Sequence, residues 1–191
     1  HLHAVLQHIT THYPSPYIVT SFSASSNVTG FLEDTLAVTA IVKSYGALSM
    51  WDYAACAPTQ KIDVNPNNVD FLKKDIIFFS PHKLLGGVNT PGVLVLKNYL
   101  LSRTFQPSTN TGGGTVFFVS PQDHTYLNDY HEREEAGTPD IVGSIRCGLV
   151  FKLKEQLGTQ PSLRINAISR TIINILTKHP YIQVLAHDPL F

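Results

Sequence analysis

Ser80-Pro81-His82-Lys83 follows the apolar run Ile76-Ile-Phe-Phe79 and precedes the pair Gly86-Gly87. A short apolar run bounded by glycine and proline reads as a buried strand, and those bounding residues oppose an immediate helix. A lysine at the mouth of such a strand, once desolvated, has a lowered pKa and an amine free to attack a carbonyl. Ser80 and His82 beside it are suited to hold an anion. An ordinary surface turn satisfies the same residues, so the chemistry depends on what converges with Lys83. Asp52 ends a second apolar run, and the residues after it, Ala54, Ala55, Cys56 and Ala57, are small. A carboxylate followed by almost no side chain leaves room for a flat ligand on the backbone. A third run over 17–22 exits through Ser25-Ser-Asn27-Val-Thr-Gly30. In open parallel α/β sheets, ligands bind outside the carboxyl ends of the strands. That rule gathers Asn27, Asp52 and the Ser80/His82/Lys83 group at one edge.

The elements that must position these residues alternate between helix and strand. Helices are expected over 2–12, ending before Pro14, and over 34–45, closed by Gly46. Strands are expected over 17–22, 47–51 and 75–79, with a helical turn near 67–72. The run over 92–97 pairs antiparallel with its predecessor, because residues 86–91 are too few for a parallel crossover. A further strand is expected over 115–119. Pro139 and Asp140 open a helix over 141–157, and Gly158 closes it. Another helix over 162–178 carries Ile165, Ile168, Ile172, Ile173 and Ile175 as an apolar stripe, read as packing. The fold class is α/β, a mostly parallel sheet flanked by helices.

Composition narrows the function classes. The formal net charge of zero supplies no basic field for nucleic acid. No stretch is apolar for long enough to span a bilayer, and no signal peptide or basic anchor is recognisable, so no membrane is expected as partner. His1, His3, His8 and His12 cluster on the first helix without a cysteine or carboxylate companion, so they read as a solvated face and no metal is expected. The two cysteines, Cys56 and Cys147, form no disulfide framework, which points to a reducing, cytoplasmic compartment. Cys56 reads as a small buried thiol. The sequon Asn27-Val-Thr29 is discounted for a cytosolic chain. Gly112-Gly-Gly-Thr115 fits either close backbone approach to a phosphate or a flexible loop before a strand, and it lacks the spacing of a dinucleotide site.

Five motifs in order, Ser-Asn27-Val-Thr-Gly, Trp-Asp52-Tyr-Ala-Ala, Ser80-Pro-His-Lys83, Gly112-Gly-Gly-Thr and Glu135-Ala-Gly-Thr138-Pro, resemble the class V aminotransferase family. These are fold-type-I enzymes dependent on pyridoxal 5'-phosphate (PLP), and the look is closest to the cysteine desulfurase and selenocysteine lyase group. The resemblance implies that Lys83 forms the aldimine with PLP and later moves the substrate's alpha proton. It implies that Asp52 binds the pyridine nitrogen, Ala54 packs on the ring, and Asn27 bonds near the phenolic oxygen. Ser80 and His82 would ligate the phosphate, and Thr138 would reach the phosphate of a neighbouring subunit in a homodimer. Residues 1–158 would be part of the PLP-binding large domain, and 159–191 the helix leading into the small C-terminal domain. Tyr181 to Phe191 would begin that domain and be loosely held.

One departure weakens the desulfurase subclass: a glutamine is usual three residues after the aspartate, and Ala55 stands there. The family's phosphate-binding turn, ring-stacking histidine, substrate-carboxylate arginine and loop cysteine all fall outside the motifs present. The chain therefore looks like a piece of a longer enzyme, inactive alone. The resemblance implies an amino-acid substrate, with desulfurase or lyase chemistry leading and transamination or epimerisation as the alternative. A sulfur-acceptor protein would be a partner in the first case. A non-catalytic scaffold that retains the fold is the reading from another class.

Overall fold

A computed structural model describes residues 1–103 and 112–185 of the chain. In order, the elements are α1 (Leu2–His12), β1 (Val19–Ser23), α2 (Thr35–Ser44), β2 (Leu48–Asp52), β3 (Ile76–Phe79) and β4 (Val93–Leu96). There follow α3 (Asn98–Arg103), β5 (Val116–Val119), β6 (His124–Tyr126), α4 (Tyr130–Glu134), α5 (Ile141–Leu157) and α6 (Gln160–Leu176).

The main sheet runs in the order β1-β2-β3-β4. β1 and β2 are parallel, as are β2 and β3, whereas β4 runs antiparallel to β3. The first crossover is α2, whose start is fixed by Asp34 accepting from the Leu36 and Ala37 amides at 3.1 and 3.0 Å. Such a cap satisfies amides that have no partner within the helix. Gly46, at φ +68°, turns the chain out of α2 in a conformation that other residues adopt at a cost. The second crossover contains two 3-10 turns, Pro66–Asn68 and Asp70–Leu72, where sequence suggests one helical turn.

Packing concentrates behind the carboxyl edge of the sheet. Trp51, Tyr53, Cys56, Ala57, Ile77, Phe79, Leu84 and Val150 form one buried cluster. Trp51 is fully enclosed, and its indole nitrogen donates to Thr39 Oγ1 at 3.0 Å, so β2 is pinned to α2. At the opposite end of β3, Asp75 accepts from the Ser49 amide at 2.8 Å and from Ser49 Oγ at 3.1 Å. Lys43 Nζ and the Tyr99 hydroxyl donate to the same carboxylate. Burial presses the Asp75 carboxyl upward, but the bonds from Lys43, Tyr99 and Ser49 outweigh it and hold the group below the usual carboxylate range. One side chain thus ties α2, β2 and α3 to the start of β3.

Several expectations are corrected by the coordinates. Pro81 does not stop helical structure: it starts the 3-10 turn Pro81–Lys83, since the first turn needs no N–H from that residue. The isoleucine stripe of α6 is not packed within the described residues, where Ile165, Ile168, Ile172 and Ile175 are 48–64% exposed. Gly158, at φ +56°, and Thr159 are all that separates α5 from α6. Residues 181–185 follow as turn and coil; the remainder of the segment expected to be loosely held, 186–191, lies outside the described residues. No helix among the described residues is long and apolar enough to cross a membrane. No group of metal-ligating side chains is found among them either.

Candidate active site

Parallel pairing places the ends of β1, β2 and β3 side by side, with Ser23 opposite Asp52 and Asp52 opposite Phe78. Asp52 is half-buried, and its Oδ1 accepts from the Ala54 amide at 2.7 Å. That bond folds the chain back at once, a turn habit of aspartate. Ala57 N then donates to Tyr53 O and Gln60 N to Cys56 O, both at 2.8 Å, so residues 53–60 coil into helix-like turns. Ala54 and Ala55 lie half-buried on this coil. The Cys56 thiol is 3% exposed, and burial pushes its pKa up, which suits an inert packing thiol.

From β3 the chain enters the turn Pro81–Lys83, closed by Lys83 N to Ser80 O at 3.1 Å and Leu84 N to Pro81 O at 2.9 Å. Ser80 is half-buried, whereas His82 and Lys83 are exposed. Lys83 is therefore not the desolvated lysine that its place after an apolar strand suggests. It stands at the boundary of two cavities. One, of about 660 Å³, is lined by Lys83 together with Asn27, Ala55, Cys56, Asn166 and Ser169. The other, of about 490 Å³, is more apolar, with Pro58, Leu84, Val150 and Ile165. Asn27 lies on an exposed loop shaped by Ser26, whose Oγ accepts from the Val28 and Thr29 amides, both at 3.2 Å.

Asn27 and Lys83 thus share a cavity at the carboxyl edge of the sheet. Asp52, Ala54, Ser80 and His82 occupy the neighbouring strand ends but do not line it. Thr138 belongs to a separate region, where the two glycine motifs meet. Gly137 N donates to Gly113 O at 2.7 Å, and buried Thr115 exchanges hydrogen bonds with both the amide and the carbonyl of Gly112. Gly112 is needed there because a Cβ would stand 2.5 Å from that of Ala136.

Asn166 and Ser169 are cavity residues that the sequence does not single out. Both are polar positions on α6, and neither falls in a motif. Their helical spacing beside Ile165 and Ile173 is the signal that could have marked a face turned to a polar cavity.

A profile of the family described as Aminotransferase class-V matches residues 2–189. The chain is 38% identical over 128 residues to a Mycobacterium leprae protein named probable cysteine desulfurase 2, covering 65% of this chain and 28% of that protein. It is 33% identical over 133 residues to a probable cysteine desulfurase from Halalkalibacterium halodurans, covering 70% and 30%. The chain spans less than a third of the length of these relatives. Among solved structures, the cysteine desulfurase CsdA of Escherichia coli superposes with a TM-score of 0.71 at 26% identity, over 92% of this chain and 42% of that one. The apo cysteine desulfurase of Thermococcus onnurineus gives 0.68 at 26% identity, over 83% and 39%. A family match along nearly the whole chain, over the asparagine, aspartate and lysine of the strand ends, leaves one conclusion: this chain belongs to the class V aminotransferase family.

Proposed function

We propose that this chain is the lysine-bearing part of a PLP-dependent enzyme acting on an amino acid, with cysteine desulfurase chemistry as its leading activity. The observation that carries the reading is the convergence of Lys83 and Asn27 on one cavity, next to the strand end that holds Asp52. The residue types suit the cofactor: the amine of Lys83 and the amide of Asn27 line the cavity with Ala55, and the carboxylate of Asp52, Ala54 and the Ser80/His82 pair stand at the neighbouring strand ends. PLP bound there supplies an electrophilic carbonyl and a ring that withdraws electrons. Lys83 Nζ would hold the cofactor and serve as the base for the alpha proton of the substrate. Asp52 keeps the pyridine nitrogen protonated, since a nearby negative charge favours the cationic form. Ala54 would pack against the ring, and Asn27 would hydrogen-bond near its phenolic oxygen. Ser80 and His82 bind the phosphate, and Thr138 reaches the phosphate of a partner subunit in a homodimer.

In the desulfurase reading a sulfur-acceptor protein is the partner, and the setting is a reducing cytoplasm, consistent with free, buried Cys56 and Cys147. Ala55 favours a second reading, transamination or epimerisation, because it offers the ring no side-chain hydrogen bond. The two divide on products measured with the full-length protein that carries this sequence. Sulfide released from cysteine supports the first; keto acid formed from alanine, or the D-enantiomer without keto acid, supports the second. A protein that takes up no PLP would be a scaffold, and the proposal would fall.

A further inference from the structure

Three consecutive carbonyls at the end of the coil over 53–60 are capped by side chains about a hundred residues away in sequence. Lys154, half-buried in the last turn of α5, donates from Nζ to Pro58 O at 3.3 Å and to Gln60 O at 3.1 Å. Ser162, at the start of α6, donates to Thr59 O, the carbonyl between them. The coil is helix-like, so these carbonyls are its orphaned C-terminal acceptors. A cation at that end is favourable both as a donor and against the local dipole.

Resting on the proposed function, we infer that Lys154 is a positioning residue for the cofactor shelf, acting through the carbonyls of Pro58 and Gln60 on Ala54 and Asp52. The coil has two anchored ends. At one, β2 and the bond from Ala54 N to Asp52 fix the carboxylate. At the other, Lys154 and Ser162 fix residues 58–60. Between them lie Ala54, Ala55 and Cys56, and the last two line the cavity of Lys83. With the Lys154 bonds removed, residues 58–60 are held from outside the coil, among the described residues, only through the Ser162 bond to Thr59. That end loosens while Tyr53, Cys56 and Ala57 stay packed in the core, and the surface on which a flat ring must lie is less firmly fixed.

The test compares Lys154→Met, which keeps the apolar stem and removes the donors, with Lys154→Arg, which keeps charge and donors. It uses the full-length protein. Two readouts are taken: the rate at which a thiol reagent modifies Cys56, followed on its own peptide by mass spectrometry, and the affinity for PLP. Two lost bonds from a charged donor predict that Cys56 reacts about tenfold faster in Lys154→Met and that PLP binds about tenfold more weakly. Lys154→Arg returns both to within roughly twofold of wild type. Ser162→Ala, a milder change, shifts both by about threefold and serves if Lys154→Met does not fold. Faster Cys56 labelling with unchanged PLP affinity would overturn the inference, reducing the clamp to a structural tie. So would unchanged rates, or an arginine that fails to restore them. Wild-type protein that binds no PLP would instead overturn the proposed function, while the thiol rates still decide whether the clamp exists.

Discussion

Gly87→Ala tests whether the turn that carries Lys83 depends on backbone packing. A Cβ at Gly87 would lie 2.0 Å from the Pro81 carbonyl oxygen, 2.9 Å from its carbon and 3.0 Å from the Leu84 oxygen. All three atoms are backbone, so no side chain can swing aside. Reaching even 3.0 Å from the Pro81 oxygen demands a parting of about 1 Å, and Pro81 belongs to the same 3-10 turn as Lys83. Overpacking of this kind costs about 2 kcal/mol. In a chain of this length that lowers Tm by roughly 4 to 8 °C. A shift of about 1 Å at a reacting amine can slow chemistry on the order of a hundredfold. The control is Gly92→Ala, where a Cβ meets nothing within 4 Å. The assay is thermal unfolding together with the rate at which PLP becomes fixed to Lys83. Gly87→Ala matching Gly92→Ala in both would refute the reasoning, showing that the Pro81–Lys83 turn yields freely.

Asp75→Asn removes the charge facing Lys43 and turns one of the two acceptor oxygens shared by Lys43, Tyr99 and Ser49 into a donor, and it should cost about 3 kcal/mol, read by denaturant unfolding. The Asp75 carboxyl is depressed in the folded chain. Its contribution is therefore complete above the unfolded pKa of about 3.9 and is lost as pH falls through the lower folded value. Asp75→Asn should accordingly flatten the acid limb of the stability profile. Thr39→Val leaves the enclosed Trp51 indole N–H without its partner, at a cost of about 1 to 3 kcal/mol, whereas Thr39→Ser keeps the bond. Trp51 is the only tryptophan, so its emission reports the change directly.

The parts of the fold written in local chemistry were legible before any coordinates. Asp140 and Gly158 bracket α5 with a cap and a left-handed exit, and its bounds follow from them. The reversal at β4 follows from the few residues available after Lys83. Where a residue has two uses, local reading failed. Pro81 is a breaker inside a helix and a starter at its first position, and only the strand end ahead of it selects the second. β6 leaves no mark in the sequence because His124, Thr125 and Tyr126 are few, polar and without alternation. α3 and α4 are single short helical stretches of six and five residues, too brief to show a period. The alignment of Asn27, Asp52 and Lys83 at one edge was readable because successive parallel strands share a direction. The clamp of Lys154 and Ser162 was not, because nothing local links residue 58 to residue 154.

The central claim is that the Lys83 amine is the point of covalent attachment for PLP. The direct measurement is borohydride reduction of the full-length protein incubated with PLP, followed by peptide mapping. A reduced pyridoxyl group is expected on Lys83 and should disappear in Lys83→Ala, with no transfer to Lys73 or Lys74. Label on another lysine, or none on Lys83 in folded protein, would contradict it.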